Sequence, residues 1–582
     1  METAETCWQR GEGARVAGRA DEAAIAYRRT LALAPDFAPA LANLALVLQA
    51  AGAAWLRRAI ALVPGHPLLR FNLGNLLAAT GRPGAGAAFR QSLALAPGEA
   101  AAWLNLGVAV HGEGRLGWAV RAAGRALALA PLYAEAWNNL ANVRRDQGRI
   151  DDAIALYGQA LACRPGYADA DRNRLCARLY IDDDEALAGR EAAAFVGRHG
   201  PRTAPPPAWT SPKPERRLRV GLLSSDLGDH PVGRNIAGFV ANRDRSALWL
   251  AAYDTGGRGE PLSDWFRTRV DLWRNVSMLD DRAIAEVVRS DRIDVLVVLA
   301  GRFDRNRPLV AAWRAAPVQV AMYDGGASGM GEGSDPAIAA WITDAALHPE
   351  GERAGGDRLL RLPAYCSFLP PEWPPAERRA PADGTVVLAS FSNPAKLSLA
   401  TLSAWARILG RLPQARLQLK YRTWYADPEV QARIVAAIAR GGGDPGRVEF
   451  LADADDAAAH LGRYGGVDLA LDPFPFSGVT TSFEALAMGV PVLSLAGHAA
   501  IGRTTAAILL PLGLDELVAS SVDDYVERAC RLAGDRPGLA SLGGEAARRL
   551  KASPLVDGRA HTAALAEAFR RLWRDWCRRA EA

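Results

Sequence analysis

Cysteines are few in this sequence, and none of them stands at a metal-binding spacing. Six cysteines are scattered over 582 residues without a CxxC pair. This pattern excludes the disulfide framework that staples small secreted domains, and it offers no set of zinc ligands. We therefore expect free thiols, a reducing cytoplasmic environment, and neither a bound metal nor a cofactor.

Long apolar runs and strong charge are missing as well. No stretch of 18 residues lacks polar interruption, so we expect no membrane span. The first residues, Met-Glu-Thr-Ala-Glu, do not show the basic-then-apolar order of a secretory signal. The net charge is only +5, and no dense basic run is interleaved with aromatic residues, which argues against nucleic-acid binding.

The first 180 residues contain an internal repeat. A motif of the form Leu-Ala-Leu-Ala-Pro recurs every 29 to 34 residues, with its prolines at Pro35, Pro64, Pro97, Pro131 and Pro165. A tetratricopeptide unit is about 34 residues long and consists of two helices and a turn, and proline cannot continue the second helix. We predict an α-solenoid of about five units. The unit from Asp36 to Pro64 has lost most of its inter-helix turn, so we expect an irregularity there.

Asparagine recurs at one phase of these units, at Asn43, Asn72, Asn105, Asn139 and Asn173. Stacking places such positions in a row on the first helix of each unit, which lines the concave face of a solenoid. An asparagine amide both donates and accepts, so a row of them can bind the main chain of an extended peptide whatever its side chains. The alternative is that asparagine recurs by repeat duplication on a wet surface.

The pattern changes after a proline-rich stretch, Gly200–Pro214, which we interpret as a linker. Short, continuous apolar segments then alternate with helical ones, as expected for parallel sheets of the α/β type. The predicted buried strands are 218–224, 294–299, 385–390, 467–471 and 490–495. Residues 217–578 suffice for two such sheets with a cleft between them, and open α/β sheets bind ligands at the carboxyl ends of their strands.

The segment 468–492 carries the most chemical information. A predicted strand ends at Asp472, a glycine turn follows, and Thr480 and Thr481 begin a helix that includes Glu484. A helix N-terminus has unpaired N–H groups and a partial positive charge, so it favours phosphate, and the two hydroxyls add donors for a diphosphate. Glu484, one turn later, can accept hydrogen bonds from ribose hydroxyls. The alternative is that the threonines only cap the helix.

A second segment, Phe391–Lys396, follows the predicted strand that ends near Ser390. A lysine at a strand exit can neutralise the charge of a leaving nucleotide, and preorganised electrostatic help of this kind lowers a barrier by about 3 kcal/mol. On its own, a lysine at this place would be interpreted as a surface charge.

These segments resemble the O-GlcNAc transferase / SPINDLY family of protein glycosyltransferases, and the similarity covers nearly the whole chain in order. It includes the asparagine row, the loop Ser224–Pro231 and the segment ending at Lys396, and it is closest between His460 and Gly497. The resemblance implies a GT-B fold, with two Rossmann-like α/β halves after the repeats. It also implies an inverting, metal-independent transfer of a sugar from a nucleotide to Ser or Thr of acceptor proteins bound by the repeats.

The resemblance and the composition together divide the chain into four parts. These are a repeat array (1–180), a capping helix with a proline-rich linker (181–216), an N-terminal Rossmann-like catalytic half (217–380), and a C-terminal nucleotide-sugar-binding half with a terminal helix (381–582).

The resemblance assigns the nucleotide-sugar site residue by residue. Lys396 would contact the leaving diphosphate, in the same segment as Asn393, and Thr480 with Thr481 would bind the phosphates. Glu484 would bind the ribose. His460 falls where the family stacks a histidine near the base.

His230, in a His-Pro step, would lie near the sugar and the acceptor, as a general base or as a group that positions the substrate. A histidine suits such work because its pKa lies near operating pH. The alternative is a structural hydrogen bond at a strand exit. The Asp453–Asp456 cluster mimics a metal-binding DxD motif, and we interpret it as a solvated turn.

The sequence departs from the family on the acceptor and sugar side. Where members usually have Asp-Leu-x-Gly-His-Thr, it has Val298, Arg302 and Phe303 at the positions of the aspartate, histidine and threonine. The glycine-rich loop from Tyr323 to Gly331 is altered too. Ala395 replaces a tyrosine, and Val479 replaces a histidine.

Three hypotheses follow. The first is an active protein O-glycosyltransferase that uses UDP-GlcNAc. The second keeps the fold with another donor, either GDP-fucose, as for SPINDLY members of the family, or a CMP-linked nonulosonic acid, as for some repeat-containing bacterial transferases that modify flagellin. The third is an inactive scaffold that binds partners through its repeats.

Overall fold

The computed structural model describes residues 2–48, 51–204, 211–257, 259–303, 305–324, 328–331, 336–352, 356–368, 383–453 and 456–581. The chain divides into two compact units, one formed by Met1–Arg144 with Ala162–Pro165 and the other by Arg145–Leu161 with Gly166–Ala582. None of the described helices has both the length and the apolar character that crossing a bilayer requires.

Helices alone make up the first part of the chain, and consecutive helices pack as pairs. They are α1 (Ala4–Val16), α2 (Ala20–Leu33), α3 (Ala38–Leu48), α4 (Ala53–Leu62), α5 (Pro67–Ala79), α6 (Ala85–Leu95), α7 (Ala100–Gly112), α8 (Leu116–Leu129), α9 (Ala134–Asp146), α10 (Ile150–Cys163), α11 (Ala168–Arg178) and α12 (Glu185–His199). Each of the five prolines that define the repeat follows the second helix of a pair. The predicted array of helical repeats is therefore confirmed.

The second repeat is compressed, as its length predicts. Its helices α3 and α4 have 11 and 10 residues, whereas α1 and α2 have 13 and 14. At Gly52, which precedes α4, a side chain would overlap the backbone of Ala45 on the facing helix. Glycine allows this close approach, so the pair can stack although its connection is short. Residues 49 and 50 of that connection lie outside the described part.

A first parallel sheet follows the repeats. Its strands are β1 (Leu218–Ser224), β2 (Leu248–Asp254), β3 (Leu272–Asn275), β4 (Val295–Leu299), β5 (Val318–Met322), β6 (Ala340–Asp344) and β7 (Leu359–Leu362), in the order β3-β2-β1-β4-β5-β6-β7. Helices α13 (Pro231–Asn242), α14 (Pro261–Arg267), α15 (Asp281–Ser290) and α16 (Leu309–Ala312) connect them. Side chains of β1 alternate between the two faces: Val220 and Leu222 face one apolar core and Leu223 the other.

A second parallel sheet has the same winding. Its strands are β8 (Val386–Ser390), β9 (Ala415–Lys420), β10 (Val448–Leu451), β11 (Leu469–Leu471), β12 (Val492–Leu495) and β13 (Val518–Ala519), in the order β10-β9-β8-β11-β12-β13. The intervening and following helices are α17 (Leu399–Arg411), α18 (Pro428–Arg440), α19 (Ala457–Gly462), α20 (Thr480–Ala487), α21 (Ala506–Leu509), α22 (Val522–Gly534) and α23 (Arg536–Lys551). All five predicted strands are present, and two Rossmann-like sheets after a helical array confirm the predicted fold class.

The last helix, α24 (Gly558–Glu581), corrects the predicted domain organisation. Its place in the chain assigned it to the C-terminal half, but its apolar residues belong to the core of the first sheet. Leu565, Phe569 and Trp573 pack there with Phe239 of α13, and the rings of Phe239 and Phe569 meet edge to face. The chain thus crosses back from the second sheet to complete the first one.

Candidate functional site

Loops at one edge of the second sheet bring most of the predicted site residues together. The segment after β8 carries Lys396, β9 ends at Lys420, and the segment after β11 leads into α20. Because β8, β9 and β11 are neighbouring parallel strands, their carboxyl ends meet at one edge. This is where open α/β sheets bind ligands.

Asn393 shapes the turn that presents Lys396. Its side-chain oxygen accepts a hydrogen bond from the backbone N–H of Ala395 at 2.9 Å, which begins a 3-10 turn over Pro394–Lys396. The sequence predicted Asn393 as a ligand of the nucleotide sugar. In the structure its oxygen holds the lysine turn.

Lys396 points into the glycine turn that precedes α20. Its Nζ donates to the Ser477 carbonyl oxygen at 2.8 Å and lies 4.4 Å from the centre of the Phe476 ring. Burial lowers the pKa of Lys396 to about 8, and the Asp472 carboxylate opposes this shift. An ammonium held in this way is a strong partner for an incoming anion, because an electrostatic attraction is larger where the surroundings are less polar than water.

The glycine turn itself is fixed by Asp472, at the end of β11. One carboxylate oxygen of Asp472 accepts from the Gly478 N–H at 2.7 Å, and the other accepts from the Ser494 hydroxyl at 2.7 Å. A side chain at Gly478 would come within 2.8 Å of the same carboxylate. Burial raises the pKa of Asp472. The backbone therefore passes close to the carboxylate and leaves the start of α20 open.

Helix α20 begins with the two predicted threonines. The residue that caps it is Val479, whose side chain makes no capping hydrogen bond, so Thr480 and Thr481 are the first residues of the helix and do not cap it. The Thr480 hydroxyl oxygen is buried and has no hydrogen-bond partner in the described residues. Such groups are rare in folded proteins, and a bound oxyanion is one way to satisfy them.

His460 and Glu484 are in contact. His460 Nε2 lies 3.3 Å from a carboxylate oxygen of Glu484, and its Nδ1 lies 3.2 Å from Lys420 Nζ. Arg234 of the first half reaches the other oxygen of Glu484 at 3.8 Å. The His460 ring also lies beside Phe391, with ring centres 5.8 Å apart. The carboxylate predicted to bind ribose is thus contacted by an imidazole of the second half and by a guanidinium of the first.

His230 lies on the first half, as the cap of α13. Its Nδ1 accepts a hydrogen bond from the Val232 N–H at 3.3 Å and lies 3.9 Å from the Asp226 carboxylate. Asn306 holds the preceding loop, because its amide donates to Asp226 at 2.6 Å. The accepting Nδ1 requires the neutral ring to carry its proton on Nε2. The predicted structural hydrogen bond is therefore present.

The replaced residues on the first half are accommodated inside the protein. Val298 is buried in β4, and Arg302 lies 3.7 Å from the Asp324 carboxylate, with both side chains buried. The backbone oxygen of Arg302 also accepts from the Cys176 thiol at 2.9 Å. A buried arginine and aspartate at this place act as a unit, since removing either would leave an uncompensated charge.

Aromatic rings pack next to the lysine. Tyr180 stacks on Phe476 with ring centres 4.7 Å apart, and Phe303 meets Phe476 edge to face at 6.0 Å. Because Lys396 lies over the same Phe476 ring, its ammonium has an aromatic face as a neighbour.

The five asparagines occupy equivalent places. Each is the sixth residue of the first helix in its pair, and each is half-buried. Several of them bind neighbouring side chains: Asn43 donates to Glu12 at 2.5 Å, Asn105 donates to Asn75 at 2.8 Å, and Asn139 accepts from Asn138 at 3.4 Å. The predicted phase is confirmed. Peptide binding by these residues stays a prediction.

The aspartate cluster 453–456 has local roles where it is described. Asp456 caps α19 by accepting from the Ala459 N–H, and Asp453 pairs with Arg463 at 2.7 Å. Residues 454 and 455, like residues 325–327 of the altered glycine-rich loop, lie outside the described part.

Sequence reasoning missed Lys420, Arg234 and Phe476. Lys420 had a signal, because it ends a strand next to the one that precedes Lys396. Arg234 and Phe476 had none, because each meets its partner through the tertiary fold.

Comparison with known proteins agrees with this architecture. The model of glycosyl transferase family 41 matches residues 376–565, and a tetratricopeptide repeat model matches residues 134–167. A solved lysine-to-methionine mutant of Thermobaculum terrenum O-GlcNAc transferase is 34% identical and superposes with a TM-score of 0.82, covering 88% of this chain and 98% of that one.

Plant proteins are similar over about 70% of this chain. The tomato (Solanum lycopersicum) protein named "Probable UDP-N-acetylglucosamine--peptide N-acetylglucosaminyltransferase SPINDLY" is 32% identical over 417 residues, which is 70% of this chain and 44% of that protein. The rice protein of the same name is 32% identical over 423 residues. The chain thus spans less than half the length of these relatives. The chain has the repeats, the two parallel sheets and the lysine turn described above, and it superposes on a solved O-GlcNAc transferase. Together with the matched family model, these findings show that the chain belongs to glycosyl transferase family 41, the O-GlcNAc transferase and SPINDLY family.

Proposed function

We propose that the chain is a protein O-glycosyltransferase that transfers GlcNAc from UDP-GlcNAc to Ser or Thr of acceptor proteins, with inversion and without a metal. The observation that carries this proposal is the desolvated ammonium of Lys396 against the glycine turn that opens α20. A diphosphate bound there would meet a fixed positive charge, the N–H groups of the helix start and the unsatisfied Thr480 hydroxyl. The protein would thus supply by itself the charge that stabilises a leaving nucleotide.

The surrounding residues fit the rest of such a donor. Glu484 accepts hydrogen bonds from the ribose hydroxyls, and His460 lies between Glu484 and the aromatic surface of Phe391, where a base can stack. On the opposite side, His230 at the start of α13 would lie near the sugar and the acceptor. We therefore assign His230 to positioning the substrate, because its Nδ1 lone pair is used by the Val232 N–H.

The first test is which nucleotide binds. We expect UDP to raise the melting temperature of the full chain in a thermal-shift titration, with GDP and CMP much weaker and the UDP shift reduced in Lys396→Ala. A shift with GDP or CMP alone would contradict UDP-GlcNAc as the donor and assign a GDP- or CMP-linked sugar in its place. No shift with any of the three nucleotides would contradict the proposed enzymatic function and favour an inactive scaffold.

The affinity for UDP should depend on pH through Lys396. The pKa of Lys396 is lowered by burial to about 8 in the free protein, so the amine is charged below pH 8 and loses its proton above it. Because the diphosphate binds the charged form, affinity should be constant below about pH 7.5 and then fall, by up to about tenfold per pH unit once the lysine is neutral. Calorimetry between pH 6.5 and 9.5 measures this. The same slope in Lys396→Ala would assign the titration to another group.

Acceptor binding should depend on the asparagine row. Each amide that pairs with a peptide main chain contributes about 1 kcal/mol, so Asn105→Ala with Asn139→Ala should raise the acceptor KM on the order of tenfold or more. The donor KM should stay unchanged. Gln91→Ala removes an exposed amide from α6, a second helix of its pair, and is the matched control. An acceptor KM that moves equally in both variants would contradict the proposal.

A further inference from the structure

A guanidinium from α18 holds the turn that carries Lys396. Arg433 Nη1 donates to the Leu397 carbonyl at 2.9 Å, and its Nη2 donates to the Pro394 carbonyl at 3.1 Å. These two carbonyls flank Lys396 in the chain. The planar guanidinium spans both with a fixed geometry, which a flexible ammonium cannot reproduce. The backbone on both sides of Lys396 is therefore held by one side chain.

A helix-connecting turn covers this guanidinium. Residues 147–149 join α9 to α10 and belong to the same compact unit as the two sheets. Gly148 lies at φ +76°, and a Cβ there would lie 2.6 Å from the Pro394 carbonyl and overlap the Arg433 guanidinium. Only glycine combines this conformation with this approach. The backbone of the 147–149 turn thus packs directly against the Arg433 guanidinium and against Pro394 of the lysine turn.

Side chains next to Gly148 hold the turn at the start of α18. Gln147 Nε2 donates to the Asp427 carboxylate at 3.1 Å, and Asp427 also caps α18 through the N–H groups of Glu429 and Val430. Arg149 pairs with Glu429 at 3.2 Å. The helix that supplies Arg433 and the turn that covers it are therefore fixed to each other.

We propose that Arg433 and Gly148 are positioning residues for the transfer reaction and act through Lys396. Arg433 fixes the position and orientation of the lysine turn through two backbone carbonyls, and Gly148 fixes the position of the Arg433 guanidinium by packing against it. This inference rests on the proposed function, because it needs Lys396 to stabilise the leaving diphosphate. A repeat connection then contributes to catalysis without touching the substrate.

The test is a double-mutant cycle in the full chain, measured as turnover of the sugar nucleotide that the thermal-shift titration selects. Arg433→Met should lower kcat about 10- to 100-fold, because a displacement of about 1 Å at a catalytic group can cost that much, and the donor KM should change less than about threefold. Arg433→Lys should restore part of the loss. In the Lys396→Ala background, Arg433→Met should cause no further decrease in kcat.

Gly148→Ala is the second variant, in case Arg433→Met does not fold, and should lower kcat on the order of tenfold. Its matched control is Gly158→Ala on α10, where an added Cβ meets nothing within 4 Å. The control for Arg433 is the exposed Arg440 of the same helix, as Arg440→Met.

The outcomes separate the two proposals. If Lys396→Ala lowers kcat but leaves a measurable rate, and Arg433→Met lowers kcat by the same factor in both backgrounds, Arg433 has a merely structural effect, and the positioning role is overturned while the proposed function stands. If Lys396→Ala keeps full kcat, both the lysine role and the positioning that acts through it are overturned.

Discussion

Lys396→Ala should lower kcat for sugar transfer by about 10²- to 10³-fold, the usual cost of removing one preorganised charge partner from a transition state. The amine donates to the Ser477 carbonyl at 2.8 Å in the resting protein, and we expect it to exchange this neutral acceptor for a phosphate oxygen that gains charge as the sugar leaves. Since this charge is largest in the transition state, kcat should fall more than the donor affinity does. Steady-state kinetics with the donor and a Ser/Thr peptide measure the two effects separately.

The same variant should not be destabilised. Burial lowers the pKa of Lys396, so the fold holds an ammonium at neutral pH against its desolvation, and alanine removes that cost. We expect a melting temperature equal to or above that of the parent, which is typical of residues kept for activity at the expense of stability. Lys551→Ala, at an exposed lysine on α23, is the matched control and should leave both kcat and stability unchanged. A kcat within about threefold of the parent would exclude Lys396 from the reaction.

Much of this site could be predicted because its parts are local. The glycine turn, the two threonines and Glu484 lie within one strand-turn-helix segment, where strand termination and helix start can be read from neighbouring residues. The strand exit before Lys396 is local in the same way. Their convergence also follows from sequence, because parallel strands present their carboxyl ends at one edge.

The contacts that tune the site could not be predicted, because they join distant parts of the chain. Arg234 reaches Glu484 from the other half, and Tyr180 stacks on Phe476 from the end of the repeats. Arg433 approaches the lysine turn from a helix that carries no motif. In each case the residue type is common on surfaces, and only its tertiary partner distinguishes it.

The terminal helix shows the same limit at the level of the fold. The sequence of α24 identifies an amphipathic helix with buried tryptophans, but nothing in its pattern says which of two similar sheets it covers. The structure places it on the first sheet, where Thr562 also donates to the Gly238 carbonyl of α13. The first half is therefore completed by a helix that begins 196 positions after its last strand, at Gly558 against Leu362.

Trp573→Ala should cost about 3–5 kcal/mol of unfolding free energy, the range for removing a large aromatic side chain from a core. Trp573 is fully buried in the core of the first sheet, its Nε1 donates to the Lys213 carbonyl at 3.0 Å, and the Arg216 guanidinium lies 4.7 Å from its ring centre. The substitution leaves a cavity and also releases the end of the linker that precedes β1. Urea unfolding followed by circular dichroism gives the overall loss.

Hydrogen exchange can show where that loss falls. If α24 completes the first sheet, Trp573→Ala should speed amide exchange in peptides of β1 and β4 and leave those of β8 and β11 protected, because local opening follows the element that has lost its packing. Trp576→Ala, at the partly exposed ring that stacks on Trp573, should have a much smaller effect. Faster exchange confined to β8 and β11 would instead assign α24 to the core of the C-terminal half. The expected pattern would instead mean that α13, and with it His230 at its start, depends on the last residues of the chain for its place in the cleft.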